Sequence, residues 1–221
     1  DGWLQPIDIW FQPEGDAMET QYTVSAATMR SFAEDLISLS VPPFRLEALL
    51  DTSLDDLGDP EAQISIELLV KLEQLAPELL DDPAAGINLG GLGHIDESRT
   101  GIVGYLARHS PTMGAAIRQA VRYSNLISTG IHMQLRTSGD SAEFVYTRPH
   151  PPTFTIVGVE VALVRMATTL RTVVGDDFHL QAAHFTYPRP AYAAAYGPVF
   201  GPHLHFEQPE NLLRFPAEYL G

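Results

Sequence analysis

The residue best placed to do chemistry is Glu160. It lies in the apolar run 154–174, where Ile156, Leu163, Ala167, Leu170 and Val174 recur at helical spacing. On a wheel with about 100° per residue, Glu160 falls within about 40° of that stripe, and Arg165, Thr169 and Thr172 fall opposite. A carboxylate on an apolar face is costly unless it is paired or liganded. Two readings follow: a polar anchor in a ligand pocket, or one half of an ion pair with a nearby arginine, such as Arg171 at the edge of the stripe. The segment 112–128 is similar. Met113, Ile117, Ala120, Ser124 and Ile127 form one face, Tyr123 sits on its flank, and Arg118, Arg122 and Asn125 point away. Tyr105, Tyr123, Phe144, Tyr146 and Glu160 are therefore the candidate ligand-binding residues. They combine apolar surface with a few polar tips, as small-molecule pockets do.

Other chemistry finds less support. His203 and His205 share a face if extended, but a metal would need a third ligand such as His184 or Glu207, and no spacing sets one. Surface histidines beside a turn are the better reading. Gly90-Gly91-Leu92-Gly93 follows a helical segment rather than a strand and lacks the Lys-Ser/Thr of a nucleotide loop, so it reads as a flexible turn. No G-x-S-x-G elbow and no H-E-x-x-H motif occur. Cysteine is absent, which removes disulfides, thiolate zinc sites and thiol nucleophiles. No cofactor, metal or catalytic residue is implied. An enzyme working through a buried Glu160 is the alternative to a binding domain.

The elements that must position these residues are mostly helical up to residue 129. Ser25 caps 26–39, Pro42-Pro43 ends that helix, and 44–50 and 53–57 add short turns of helix. Ser65 caps 66–80, Asp82-Pro83 restarts a helix toward Leu89, 102–109 is helical, and Ser110-Pro111 opens 112–128. Strands follow at 131–137 and 142–147 around a Ser138-Gly139-Asp140 turn, then the long helix 154–174 ended by Gly175, a strand at 180–187, a short helix at 191–196 and a strand at 211–215. The expected fold is α+β, an N-terminal helical layer packed on a small antiparallel sheet, with a pocket between them.

The chain has 221 residues, 28 acidic against 13 basic, a formal charge of −15. That balance argues against DNA binding by this chain alone. The apolar run 154–174 is broken by Glu160, Arg165 and Arg171, so no transmembrane helix is expected, and no basic, apolar leader opens the chain. A cytoplasmic protein is expected. Residues 1–21 form a separate N-terminal extension, with Trp3, Trp10 and Phe11, five acids and no base; 7–11 reads as a strand. Residues 22–221 read as one domain.

Seven segments in order carry a resemblance. They are Asp82-Pro83 with Gly86-Ile87-Asn88-Leu89-Gly90; Gly101-Ile102-Val103-Gly104-Tyr105-Leu106; Ser110-Pro111-Thr112-Met113-Gly114-Ala115-Ala116; Arg122-Tyr123; Phe185-Thr186-Tyr187-Pro188-Arg189-Pro190; Tyr196-Gly197; and Asn211-Leu212-Leu213-Arg214-Phe215-Pro216. Over about 22–221 the chain resembles the N-terminal effector domain of AraC-type transcriptional regulators, the branch labelled arabinose-binding. The resemblance implies a small-molecule effector, a homodimer, and control of a C-terminal helix-turn-helix module. No such basic module is present up to Gly221, so DNA contact is expected only through a module outside this chain. The family supplies no ligand motif that transfers residue by residue. The cupin barrel of the founding arabinose regulator does not suit a chain that starts with five helical segments. A helical layer on a sheet, somewhat like haem nitric-oxide-binding domains, suits it better, with no histidine assignable as a haem ligand.

Overall fold

The computed structural model describes residues 22–92, 97–149 and 153–221. The extension 1–21 with its expected strand at 7–11, the end of the glycine run at Gly93, and the loop at 150–152 lie outside the described residues.

The first layer is helical. Strand β1 (Thr23–Ser25) leads into helix α1 (Ala26–Ser38), and Ser25 accepts the Thr28 amide as its N-cap. Helix α2 (Pro43–Leu50) follows, with Pro43 at its first position, where the missing N–H costs nothing. The expected helical turn at 53–57 is non-helical turn. Strand β2 (Gln63–Ser65) pairs antiparallel with β1, and Ser65 caps helix α3 (Ile66–Leu79). Met29, Phe32, Leu36, Leu69 and Leu72 close the core of this layer.

Helix α4 (Ala85–Leu92) runs straight through the glycines that read as a flexible turn. The reason lies in its partner, the long helix α8 (Ile156–Val174). A Cβ on Gly86 would meet Glu160 Oε2 and the Val157 Cα, and one on Gly90 would stand 2.6 Å from Val164 Cβ and 3.1 Å from the Val161 Cα. Glycines one turn apart thus let the two helices approach backbone to backbone. Gly90→Ala should lower stability by about 1–3 kcal/mol in denaturant unfolding, even though alanine is the better helix former by about 1 kcal/mol. An unchanged midpoint would mean that the helices can part without cost.

Helix α5 (Glu97–Arg108) is broken at Gly101, whose φ of 57° and ψ of −143° favour glycine, and the Glu61 carboxylate accepts the Ile102 amide (3.2 Å) where the helix resumes. Helix α6 (Met113–Arg122) begins later than expected. Its N-cap is Thr112, which accepts the Ala115 amide, while the Ser110 hydroxyl donates to the Leu106 carbonyl. Tyr123 ends α6, and a single turn, α7 (Ser124–Ile127), completes the segment.

The second layer is a five-stranded sheet. The hairpin β3 (His132–Ser138) and β4 (Ser141–Thr147) joins β5 (Ala182–His184), β6 (Leu204–His205) and β7 (Asn211–Pro216) in the order β3-β4-β7-β5-β6. The expectation of an antiparallel sheet holds for three of its four pairings, and β5 and β6 are parallel. The register aligns Met133 with Tyr146, and Leu135 and Leu213 with Phe144, on one face. That face packs on α8, which Thr155 caps and Gly175 ends. Helix α9 (Gly197–Phe200) and short 3-10 turns at Ala193–Tyr196 and Ala217–Leu220 finish the chain. Helix α8 is the spine: Val157 and Val161 belong to the helical core, Val159 and Leu163 to the sheet core. No helix among the described residues is long and apolar enough to cross a membrane.

Candidate functional site

The two layers do not close completely on each other. Between them lies a cavity of about 620 Å³, walled by α1, α3, α5, α6, β3, β4 and α8. The local sequence explains the walls. The break at Gly101 turns Val103, Gly104 and Ala107 of α5 toward the cavity, and the apolar face of α6 presents Met113, Ala116, Ile117 and Ala120. The sheet face adds Met133, Phe144 and Tyr146, and α8 adds Gly158, Val161, Ala162 and Met166.

The candidate residues separate. Phe144 and Tyr146 line the cavity. Tyr105, Tyr123 and Glu160 are not among its lining residues. Tyr105 is 46% exposed and packs its ring, tilted by 31°, on His109 at 4.2 Å, and Tyr123 carries the Arg122 guanidinium over its ring at 5.4 Å.

Glu160 is buried, as its place in the stripe demands. Arg171 does not pair with it: that guanidinium donates to the Val199 carbonyl (2.8 Å) and covers the Phe178 ring. Instead the hydroxyls of Tyr192 (2.9 Å) and Tyr196 donate to Glu160 Oε1, and Tyr187 continues the chain of hydroxyls to Tyr196 (3.1 Å). Oε2 has no partner. Burial pushes the carboxyl up to about 7, against the pull of the two tyrosines and with a small push from Asp82.

Two buried ion pairs in the wall escaped the sequence reading. Glu73 of α3 accepts Arg148 Nη1 at 2.8 and 2.9 Å and the Thr155 hydroxyl at 2.6 Å. Arg165, expected on the outer face of α8, lines the cavity and pairs with buried Asp35 of α1. The signal for Glu73 was the one that found Glu160, an acid among Leu69, Leu72 and Ala76 at helical spacing. Burial pushes the Tyr146 phenol, beside Arg148, up to about 12, so it remains a neutral donor in the cavity wall.

On the opposite face of the sheet, the His184 and His205 rings stand 5.0 Å apart. No three potential metal ligands gather among the described residues.

Residues 41–221 match the family described as the arabinose-binding domain of AraC transcription regulators, N-terminal. The chain belongs to this family. Within the AraC regulators it is 31% identical over 168 residues to the ornithine utilization regulator of Pseudomonas aeruginosa, covering 74% of this chain and 48% of that protein. It therefore spans about half the length of that curated relative. Its fold is similar to the crystal structure of the transcriptional regulator CdpR from Pseudomonas aeruginosa, with a TM-score of 0.58 at 17% identity, over 94% of this chain and 58% of that one. Both named relatives of this AraC domain are transcription regulators.

Proposed function

We propose that this AraC-family domain senses a small molecule held in the cavity between its two layers, and passes that state to a DNA-binding module outside the chain. The observation that carries the reading is the cavity. Its size suits a small-molecule site, its lining is mostly apolar, and its few polar groups are built into the walls. Phe144 and Tyr146 are the contacts retained from the sequence reading. Residues 22–221 act as one effector-binding domain, a homodimer in the whole regulator. The cavity also has a mechanical outlet. Gly114 of α6 packs so closely on Leu220 that a Cβ would stand 2.8 Å from the Leu220 carbonyl oxygen, so a ligand that moves α6 moves the end of the chain. Turnover has less support: Glu160 lies outside the cavity lining, and the relatives are regulators.

Ala116→Trp tests the reading by filling the cavity from α6. Native mass spectrometry after incubation with a metabolite extract should show a ligand retained by the parent protein and lost, or weakened at least about tenfold, in the variant. Equal retention by both would place the ligand elsewhere and end the proposal.

A further inference from the structure

We infer that the molecule this cavity takes is an amphiphilic monoanion, an apolar body bearing one carboxylate, with its head at Arg108 in the cavity mouth. The inference rests on the cavity being the effector site.

The interior favours an apolar body. Phe32, Ile117, Ile131, Phe144, Val161 and Met166 supply its walls. The charged groups of the interior are already engaged. Glu73, the only acid among the described lining residues, accepts from Arg148 and Thr155, and Arg165 is held to Asp35. A ligand with two ammonium groups and a carboxylate, such as ornithine, would bring its charges to walls whose one carboxylate is already paired.

The mouth favours an anion. Arg108, in the last turn of α5, lines the cavity and is exposed, and it has no ion-pair partner among the described residues. Thr112, also in the lining, accepts the Ala115 amide on its hydroxyl oxygen, which leaves the hydroxyl proton to donate. Val173 and Thr172 of α8 also line the cavity, and Val173 is 61% exposed. In a chain of net charge −15, an unpaired guanidinium at an apolar opening selects for a negative head, which its planar fork can grip with two hydrogen bonds.

Calorimetric titration of the whole chain with decanoate, decanol, decylamine and ornithine reads this directly. Decanoate should bind tightest, decanol about tenfold more weakly, and decylamine and ornithine more weakly still. Arg108→Gln should weaken decanoate about three- to tenfold, since Arg108 is exposed, and leave decanol unchanged. Ala116→Trp should abolish binding of both. Absence of decanoate binding, equal affinity for decanoate and decanol, or an Arg108→Gln variant that treats the two alike would overturn the anionic class. The cavity reading would survive those results as long as Ala116→Trp still removed the metabolite. Decanoate binding that survives Ala116→Trp would defeat the cavity reading, and this inference with it.

Discussion

Arg148→Met is expected to cost about 3–5 kcal/mol and to lower the melting temperature by about 10 °C, at about 2–4 °C per kcal/mol for a chain of this size. The Arg148 and Glu73 side chains are 1% and 4% exposed, so the pair is screened by almost no water. Removing the guanidinium leaves Glu73 buried with the Thr155 hydroxyl as its remaining hydrogen-bond partner among the described residues. That hydroxyl has two roles, because it also accepts the Gly158 amide (3.0 Å) as the N-cap of α8. The network therefore ties α3, the end of β4 and the start of α8 together. Gly158 belongs to it by its lack of a side chain: a Cβ there would press on Arg148 Nη1 and stand 2.8 Å from Glu73 Oε1.

The same pair is a weak source of net stability. Arg148 leaves Nε and Nη2 buried without partners among the described residues, so its desolvation is only partly offset. Replacing both residues with apolar ones, Glu73→Leu with Arg148→Met, should recover most of what the single variant loses. A double-mutant cycle by denaturant unfolding would show the coupling. If Arg148→Met alone cost under about 1 kcal/mol, Glu73 would have to be hydrated in solution.

What the sequence made legible was what neighbours along the chain decide. Ser25, Ser65 and Gly175 bound their helices because a cap needs only the next few residues, and the 138–140 turn joins β3 to β4. Glu160 was legible as a buried acid because its stripe is local. Its partners were not: Tyr192 and Tyr196 reach it from a 3-10 turn and the residue before it, far along the chain. The glycines of α4 failed for the same reason. Their identity is set by the surface of α8, and a reader of local signals sees only a flexible turn. The strand expected over 180–187 shrank to Ala182–His184, and its parallel pairing with the two-residue β6 has no local signature. Of the five candidate site residues, Phe144 and Tyr146 alternate along β4, which puts both on the face under α8, and both line the cavity. Tyr105 and Tyr123 sit on helices whose exact rotation depends on the break at Gly101 and the late start of α6.

Glu160→Gln should be more stable than the parent protein by about 2–3 kcal/mol at pH 8 and equal to it or slightly less stable below pH 5. The unfolded carboxyl titrates near 4.5 and the folded one near 7. Between those values the native protein holds a proton that the unfolded chain has released. Stability at this site therefore falls as pH rises through the window, and levels off above it. This is the reverse of a salt-bridged acid. The shift from 4.5 to about 7 corresponds to about 3 kcal/mol, lost in full once both states are ionised. Geometry gives the cause. Both tyrosines donate to Oε1, and Oε2 is pressed toward Gly86 with no donor, so a proton on Oε2 removes a buried charge that nothing there compensates. Glutamine keeps the acceptor for Tyr192 and Tyr196 and removes the charge. Its amide N–H groups beside Gly86 find no acceptor, which is why it gains nothing at low pH. Urea unfolding of both proteins at pH 5, 6, 7 and 8 reads the difference directly, because the other carboxylates are common to the two. A difference that stays flat across that range would mean Glu160 is ionised and solvated throughout, and the tyrosine cage around it would then be no more than packing.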